Sequence, residues 1–172
     1  IPLLTARAGN VIGGGDWSED RLIPDAIRSW KSKNKLYLRN QNAIRPWQHV
    51  LDPVAGYLKV AEILWKKPSL AGSYNFGPPK NQKVSVKKII ELARKKYGLG
   101  EYEFNKNTDS LYETNILSLN PSKLNLKFGI ISKWNLENTV NKTMNWYRKI
   151  ELDNSQARQL CELDINSYEE KN

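Results

Sequence analysis

A chain of 172 residues with 40% apolar content, six Trp and eight Tyr can fill one real core, which excludes disorder as a description of the whole. Its single cysteine, Cys161, excludes an internal disulfide and any cysteine-based zinc arrangement, and no run approaches the ~20 apolar residues that span a bilayer. The net charge of +9 would attract a diphosphate or a nucleic acid alike, but the cations fall in short runs (Lys66-Lys67, Lys87-Lys88, Arg94-Lys95-Lys96) without a basic tail or interleaved aromatics.

Residues 3–12 carry apolar side chains into a glycine-rich end, the pattern of a buried parallel strand that opens into a loop at its C-terminal edge. In open α/β sheets that edge is where ligands sit. Leu22, Ile23, Ala26, Ile27 and Trp30 have helical spacing, with Pro24 tolerable only in a first turn. Arg28 is expected on a face of that helix turned away from the first strand's edge, where Arg28→Glu should leave self-association unchanged. Residues 36–38 and 44–51 predict short strands around an Asn-rich turn. Asp52-Pro53 then predicts a helix start, with Asp52 as N-cap and Val54, Tyr57, Leu58, Ala61, Leu64 and Trp65 on one inward face.

Residues 73–76 predict a brief strand ended by Gly77-Pro78-Pro79. Ser85 caps a helix whose stripe is Val86, Ile89, Ile90, Ala93 and Tyr97, stopped by Gly98. Residues 115–119 predict another strand, and Asn120-Pro121 starts a short helix ending near Gly129. Asn135 caps a last helix with Leu136, Val140, Thr143, Tyr147 and Ile150 inward. From Leu152 on, apolar positions are too sparse to predict an element. This mixture is α/β, short of a complete doubly wound sheet.

Two stretches carry a resemblance: residues 42–50, Asn-Ala-Ile-Arg-Pro-Trp-Gln-His-Val, and residues 6–17, Ala-Arg-Ala-Gly-Asn-Val-Ile-Gly-Gly-Gly-Asp-Trp. With Asp20-Arg21-Leu22-Ile23-Pro24, Tyr74-Asn75-Phe76-Gly77-Pro78 and Lys133-Trp134-Asn135-Leu136-Glu137, they resemble the C-terminal half of the CDP-glucose 4,6-dehydratase family. Those enzymes are NAD-dependent sugar-nucleotide dehydratases of the extended short-chain dehydrogenase/reductase superfamily. The resemblance implies that a Rossmann domain, with its dinucleotide loop and a catalytic Tyr-x-x-x-Lys pair, precedes this stretch. The chain has no Gly-x-x-Gly-x-x-Gly or Gly-x-Gly-x-x-Gly, and no such pair in a plausible site: Tyr57 is followed four residues on by Ala61, Tyr97 by Glu101, Tyr147 by Glu151.

The resemblance thus implies a small α/β substrate-binding lobe plus residual strands of an incomplete Rossmann-type sheet over residues 1–150, and a C-terminal tail over residues 151–172. The full enzyme would use NAD to oxidise CDP-glucose at C4, eliminate water across C5 and C6, and return the hydride to C6. This chain alone is expected to hold no catalytic residue, to bind NAD weakly, and to be inactive. The expected partner is CDP-glucose or a related sugar nucleotide, in a cytoplasmic homo-oligomer without nucleic acid or membrane contacts. The alternatives are another NAD-dependent nucleotide-sugar dehydratase or epimerase, and a non-catalytic basic binding module. Strands severed from their sheet are expected either to self-associate through the N-terminal region or to leave residues 3–12 mobile.

Four residues are expected to bind substrate. Arg45 offers a planar fork of donors that matches two phosphate oxygens, and by position it matches the superfamily's diphosphate-binding arginine; a surface salt bridge is the alternative. Asn10 follows Gly9 at a strand end and matches an asparagine that contacts the diphosphate, the alternative being a turn residue. Arg21 matches a phosphate or nucleobase contact, with a surface arginine the alternative. Glu113 could accept from an exocyclic amine or ribose hydroxyls and so help choose cytidine. Gly13-Gly14-Gly15 is a weak phosphate-cradle signal and predicts instead a flexible loop that folds over the nucleotide, carrying Asp16, Trp17 and Arg21. His49, the only histidine, is expected to be a hydrogen-bonded structural residue.

Overall fold

A computed structural model describes residues 1–104 and 114–170. In chain order the elements are β1 (Leu4–Ala8), β2 (Asn10–Ile12), α1 (Leu22–Lys31), β3 (Lys35–Leu38), β4 (Ile44–Arg45), β5 (Trp47–His49), α2 (Leu51–Lys66), β6 (Gly72–Phe76), β7 (Val84–Ser85), α3 (Val86–Tyr97), β8 (Glu101–Phe104), α4 (Ser122–Phe128), α5 (Leu136–Leu152) and α6 (Ala157–Glu169). The strands form two-stranded ladders: β1 with β6, β2 with β5 and β3 with β8 are parallel, whereas β4 and β7 are antiparallel. The architecture is the α/β arrangement of small sheets and helices expected of an incomplete Rossmann-like lobe.

Gly9 splits the predicted first strand in two. A side chain there would place Cβ 2.4 Å from the carbonyl oxygen of Pro46, so only glycine lets the chain pass from β1 into β2 at this contact. β1 was expected to be buried, yet Thr5 to Ala8 are exposed. The sequence is apolar enough for an interior strand, but among the described residues β1 has a partner on one edge only.

The larger core lies among α1, α3 and α5, which bring together Ile23, Ile27, Trp30, Ile89, Ile90, Val140, Met144 and Tyr147. All three helices follow their predicted stripes. Local chemistry fixes two of their starts: Ser85 Oγ accepts the Lys88 N–H at 3.1 Å, and Asn135 Oδ1 accepts the Asn138 N–H at 2.9 Å. A smaller core of Val60, Tyr74, Phe76, Leu124 and Phe128 joins α2, β6 and α4.

α2 is turned relative to expectation. Val54, Tyr57, Leu58, Ala61 and Trp65 are exposed, and the buried face is Asp52, Pro53, Gly56, Val60 and Leu64. Closeness of approach decides this: a Cβ on Gly56 would lie 2.8 Å from the Phe76 ring, so the helix meets β6 through its glycine.

Asp52 is not the N-cap. Val50 holds that position, and the buried Asp52 carboxylate accepts from the Lys133 N–H at 2.7 Å and the Tyr168 hydroxyl at 2.9 Å through the same oxygen, Oδ1. The second of these bonds anchors the tail, which is helical over α6 although no element was predicted there. Lys133 Nζ donates to the carbonyls of Tyr168 and Glu170, Lys142 pairs with Asp164 at 3.2 Å, and the Trp134 ring meets Tyr168 edge-on. Only Leu160 of α6 is buried, so hydrophobic periodicity could not have announced the helix.

Two further strand expectations are corrected. β3 pairs not across the Asn-rich turn but with β8, a strand that was not predicted. Residues 115–119 form no strand; the segment contributes a single bridge between Ile116 and Ile44.

Candidate nucleotide-sugar site

A cavity of about 1070 Å³ opens where β1 and β2 end, with the glycine loop and the start of α1 on one side and the end of β3 on the other. Asn10, Arg21 and Arg45 all lie on its wall. Asn10 begins β2, half-buried and in register with Trp47. Arg45 is only 9% exposed. Its Nη1 donates to the carbonyls of Ile44 and Thr114, each at 2.9 Å, so the main chain fixes the guanidinium in place. Arg21 is exposed and extended just before α1, with its carbonyl accepting the Asp25 N–H at 2.9 Å. Glu113 lies outside the described residues.

Sequence reasoning missed Tyr37, Arg39 and Asn40, which also line the cavity at the end of β3. The signal was available: Leu36 and Leu38 alternate inward with Tyr37 outward, and a basic residue follows at the C-terminal edge. Asn40 fixes its own turn, accepting the Asn42 N–H at 3.1 Å and donating to Asn115 at 3.0 Å. Asp16, Asp20 and Asp25 line the same cavity, so the chain's positive charge is not concentrated there.

The glycine loop is tied down rather than free. Gly14 rests on Trp146, where a Cβ would lie 2.1 Å from the indole. The Tyr147 hydroxyl donates to the Asp16 carbonyl, and the Trp17 ring meets Tyr147 edge-on at 5.2 Å. Burial, with the Asp16 charge second, pushes the Tyr147 phenol far above its usual value, so it remains a proton donor at any working pH. Arg28 Nη1 donates to the Trp17 carbonyl at 2.8 Å and Nη2 to the Ser18 carbonyl at 2.9 Å, while Asp25 pairs with the same guanidinium.

His49 does not line this cavity. It is 2% exposed, its ring packs edge-on to Trp134 at 4.6 Å, and Nδ1 accepts the Leu51 N–H at 3.3 Å at the start of α2. Burial, helped by the charge of Lys142, lowers its pKa to about 4, which leaves a neutral structural imidazole. One tyrosine, Tyr102, does have a lysine four residues on, Lys106. Tyr102 sits in strand β8 rather than on a helix, and Lys106 lies outside the described residues. Among the described residues no group of three or more His, Cys, Asp or Glu could hold a metal ion.

No protein-family model matches the chain. Among curated proteins it is 36% identical over 149 residues to the CDP-glucose 4,6-dehydratase of Salmonella typhimurium, a match that covers 86% of this chain and 42% of that protein. Its fold is similar to UDP-glucuronic acid 4-epimerase from Bacillus cereus, solved with UDP-glucuronic acid and NAD, at a TM-score of 0.72 and 18% identity over 87% of this chain and 46% of that one. UDP-glucose 4-epimerase from Stenotrophomonas maltophila, solved with bound NAD, gives a TM-score of 0.73 at 15% identity over 87% and 48%. RMD from Pseudomonas aeruginosa, solved with NADPH, gives 0.68 at 19% identity over 86% and 48%. The chain spans less than half the length of each of these relatives. In sequence the chain is thus similar to part of a nucleotide-sugar dehydratase, and in fold to part of two nucleotide-sugar epimerases.

Proposed function

We propose that this chain is the nucleotide-sugar-binding portion of a CDP-glucose 4,6-dehydratase. The observation that carries the reading is the gathering of Asn10, Arg21 and Arg45 on one cavity at the C-terminal ends of parallel strands, where open α/β sheets take their ligands. The 36% identity to a CDP-glucose 4,6-dehydratase favours that substrate over the uridine nucleotides of the structural relatives. Arg45, whose Nη1 is held by two main-chain carbonyls, would contribute its guanidinium charge to binding the diphosphate. Asn10 would add an amide contact beside it, and Arg21 would close the mouth from the exposed side. Glu113 stays our candidate for cytidine recognition.

NAD is the cofactor we assign to the whole enzyme, since relatives of this fold were solved with it; it would accept and return the hydride at the sugar. The residues of this chain do not fit it alone, for the sequence holds no glycine-rich dinucleotide loop. We assign a cytoplasmic homo-oligomer to the full protein. No helix among the described residues is long and apolar enough to cross a membrane.

Calorimetry with CDP-glucose and UDP-glucose tests the reading. Wild-type chain should prefer the cytidine compound, and Arg45→Ala should weaken binding by about 1.5–3 kcal/mol, roughly ten- to a hundredfold, for a lost charge-assisted contact. Unchanged affinity at normal thermal stability would remove Arg45 from the site. Salt-dependent retention on DNA with no response to CDP-glucose would favour a basic binding module instead. Supplied with NAD and CDP-glucose, the chain alone should form no 4-keto product; turnover above a buffer blank would overturn its assignment as a binding portion.

A further inference from the structure

We propose that Arg28 is a positioning residue for the cavity, setting the wall that Asp16, Ser18, Asp20 and Arg21 present to a bound nucleotide sugar. The inference rests on the reading of the cavity given above. Arg28 does not itself line the cavity, yet its guanidinium takes the carbonyls of Trp17 and Ser18 and the carboxylate of Asp25 at once. Helical side chains lean toward the helix N-terminus, which carries Arg28 back to the loop that enters α1.

The electrostatic consequence is directional. A diphosphate is repelled by carbonyl oxygens and carboxylates, and the loop supplies several of both. By engaging two carbonyls on its own side, Arg28 leaves the loop's side chains, Arg21 among them, to face the cavity. The pairing with Asp25 offsets one of the three carboxylates on the wall. The loop includes one non-glycine residue in the left-handed region, Asp20 at φ 58, which carries a modest backbone cost, while Gly15 takes φ 84 freely. Surroundings must hold such a turn, and Arg28 and Tyr147 are the side chains that grip its carbonyls. A lysine cannot substitute fully, since one ammonium lacks the planar fork that spans two carbonyls and a carboxylate.

The test uses the whole 172-residue chain with Arg28→Ala and Arg28→Lys. Three quantities are measured: CDP-glucose affinity by calorimetry, amide exchange across residues 16–21, and the thermal midpoint. Arg28→Ala should weaken binding about tenfold or more and speed exchange at residues 16–21 by a similar factor, with α1 still protected and the midpoint near wild type. Arg28→Lys should recover less than half of the loss on a logarithmic scale. An alanine variant that binds within about twofold of wild type, or exchanges its loop no faster, would overturn the inference. If Arg28→Ala does not fold, the lysine variant decides on the same two readouts, with wild-type values overturning the proposal. A wild-type chain that does not bind CDP-glucose overturns the reading of the cavity instead, and the proposal for Arg28 falls with it even if exchange shows that Arg28 holds the loop.

Discussion

Acidification from pH 6.5 to pH 4 should cost this chain about 3 kcal/mol of folding stability through His49 alone. In the folded chain the imidazole titrates at about 4, whereas its ordinary value is 6.5. The cause is burial first and the nearby Lys142 charge second. Because the folded value is the lower one, the unfolded chain takes up the proton more readily across this window. The contribution is therefore intact above pH 6.5 and is lost as the pH falls toward 4. Protonation also turns Nδ1 from the acceptor of the Leu51 N–H into a donor, which releases the first turn of α2. His49 is the only histidine, so its ring proton signals give the titration without ambiguity. Denaturant unfolding at several pH values should show the slope, and His49→Gln should flatten it. A midpoint near 6.5 in the folded protein would refute the expectation.

What was legible in the sequence was what short-range chemistry decides. α1, α3 and α5 follow from stripes opposed by polar faces, and Ser85 and Asn135 cap the second and third of these as their positions suggest. Asn10, Arg21 and Arg45 were singled out as candidates through their motifs rather than through periodicity, and all three line one cavity. What failed depended on distant partners. Asp52 before Pro53 has the local signature of an N-cap, but its hydrogen-bond partners are 81 and 116 residues away. The inward face of α2 was misread because Gly56, which sets the closest approach, carries no hydrophobic signal. The glycine loop reads as mobile from composition, and the groups that fix it, Arg28, Trp146 and Tyr147, come from two different helices. Arg28 looks like any surface cation until its carbonyl partners are known.

At micromolar concentration the chain should self-associate through the outer face of α2 and the open edge of β1, and Leu58→Glu with Trp65→Glu should return it to monomer. Leu58 is 70% and Trp65 86% exposed, with Val54 and Tyr57 beside them on the same face. β1 lies next to this helix's core and, among the described residues, offers main-chain donors and acceptors on one unpaired edge. An apolar helix face beside an open parallel strand is a surface that another sheet segment covers, and a second copy of the chain can supply one. Burying each large apolar side chain contributes about 1.5–3 kcal/mol, so losing two should shift dissociation by roughly 3 kcal/mol or more, over a hundredfold in Kd. Leu4 is a poorer probe, since it packs on the smaller core and its replacement would damage folding. Sedimentation at several concentrations distinguishes the outcomes. A monomer throughout, with residues 4–8 strongly protected in hydrogen exchange, would mean that this chain closes its own sheet edge and that α2's apolar face needs no cover.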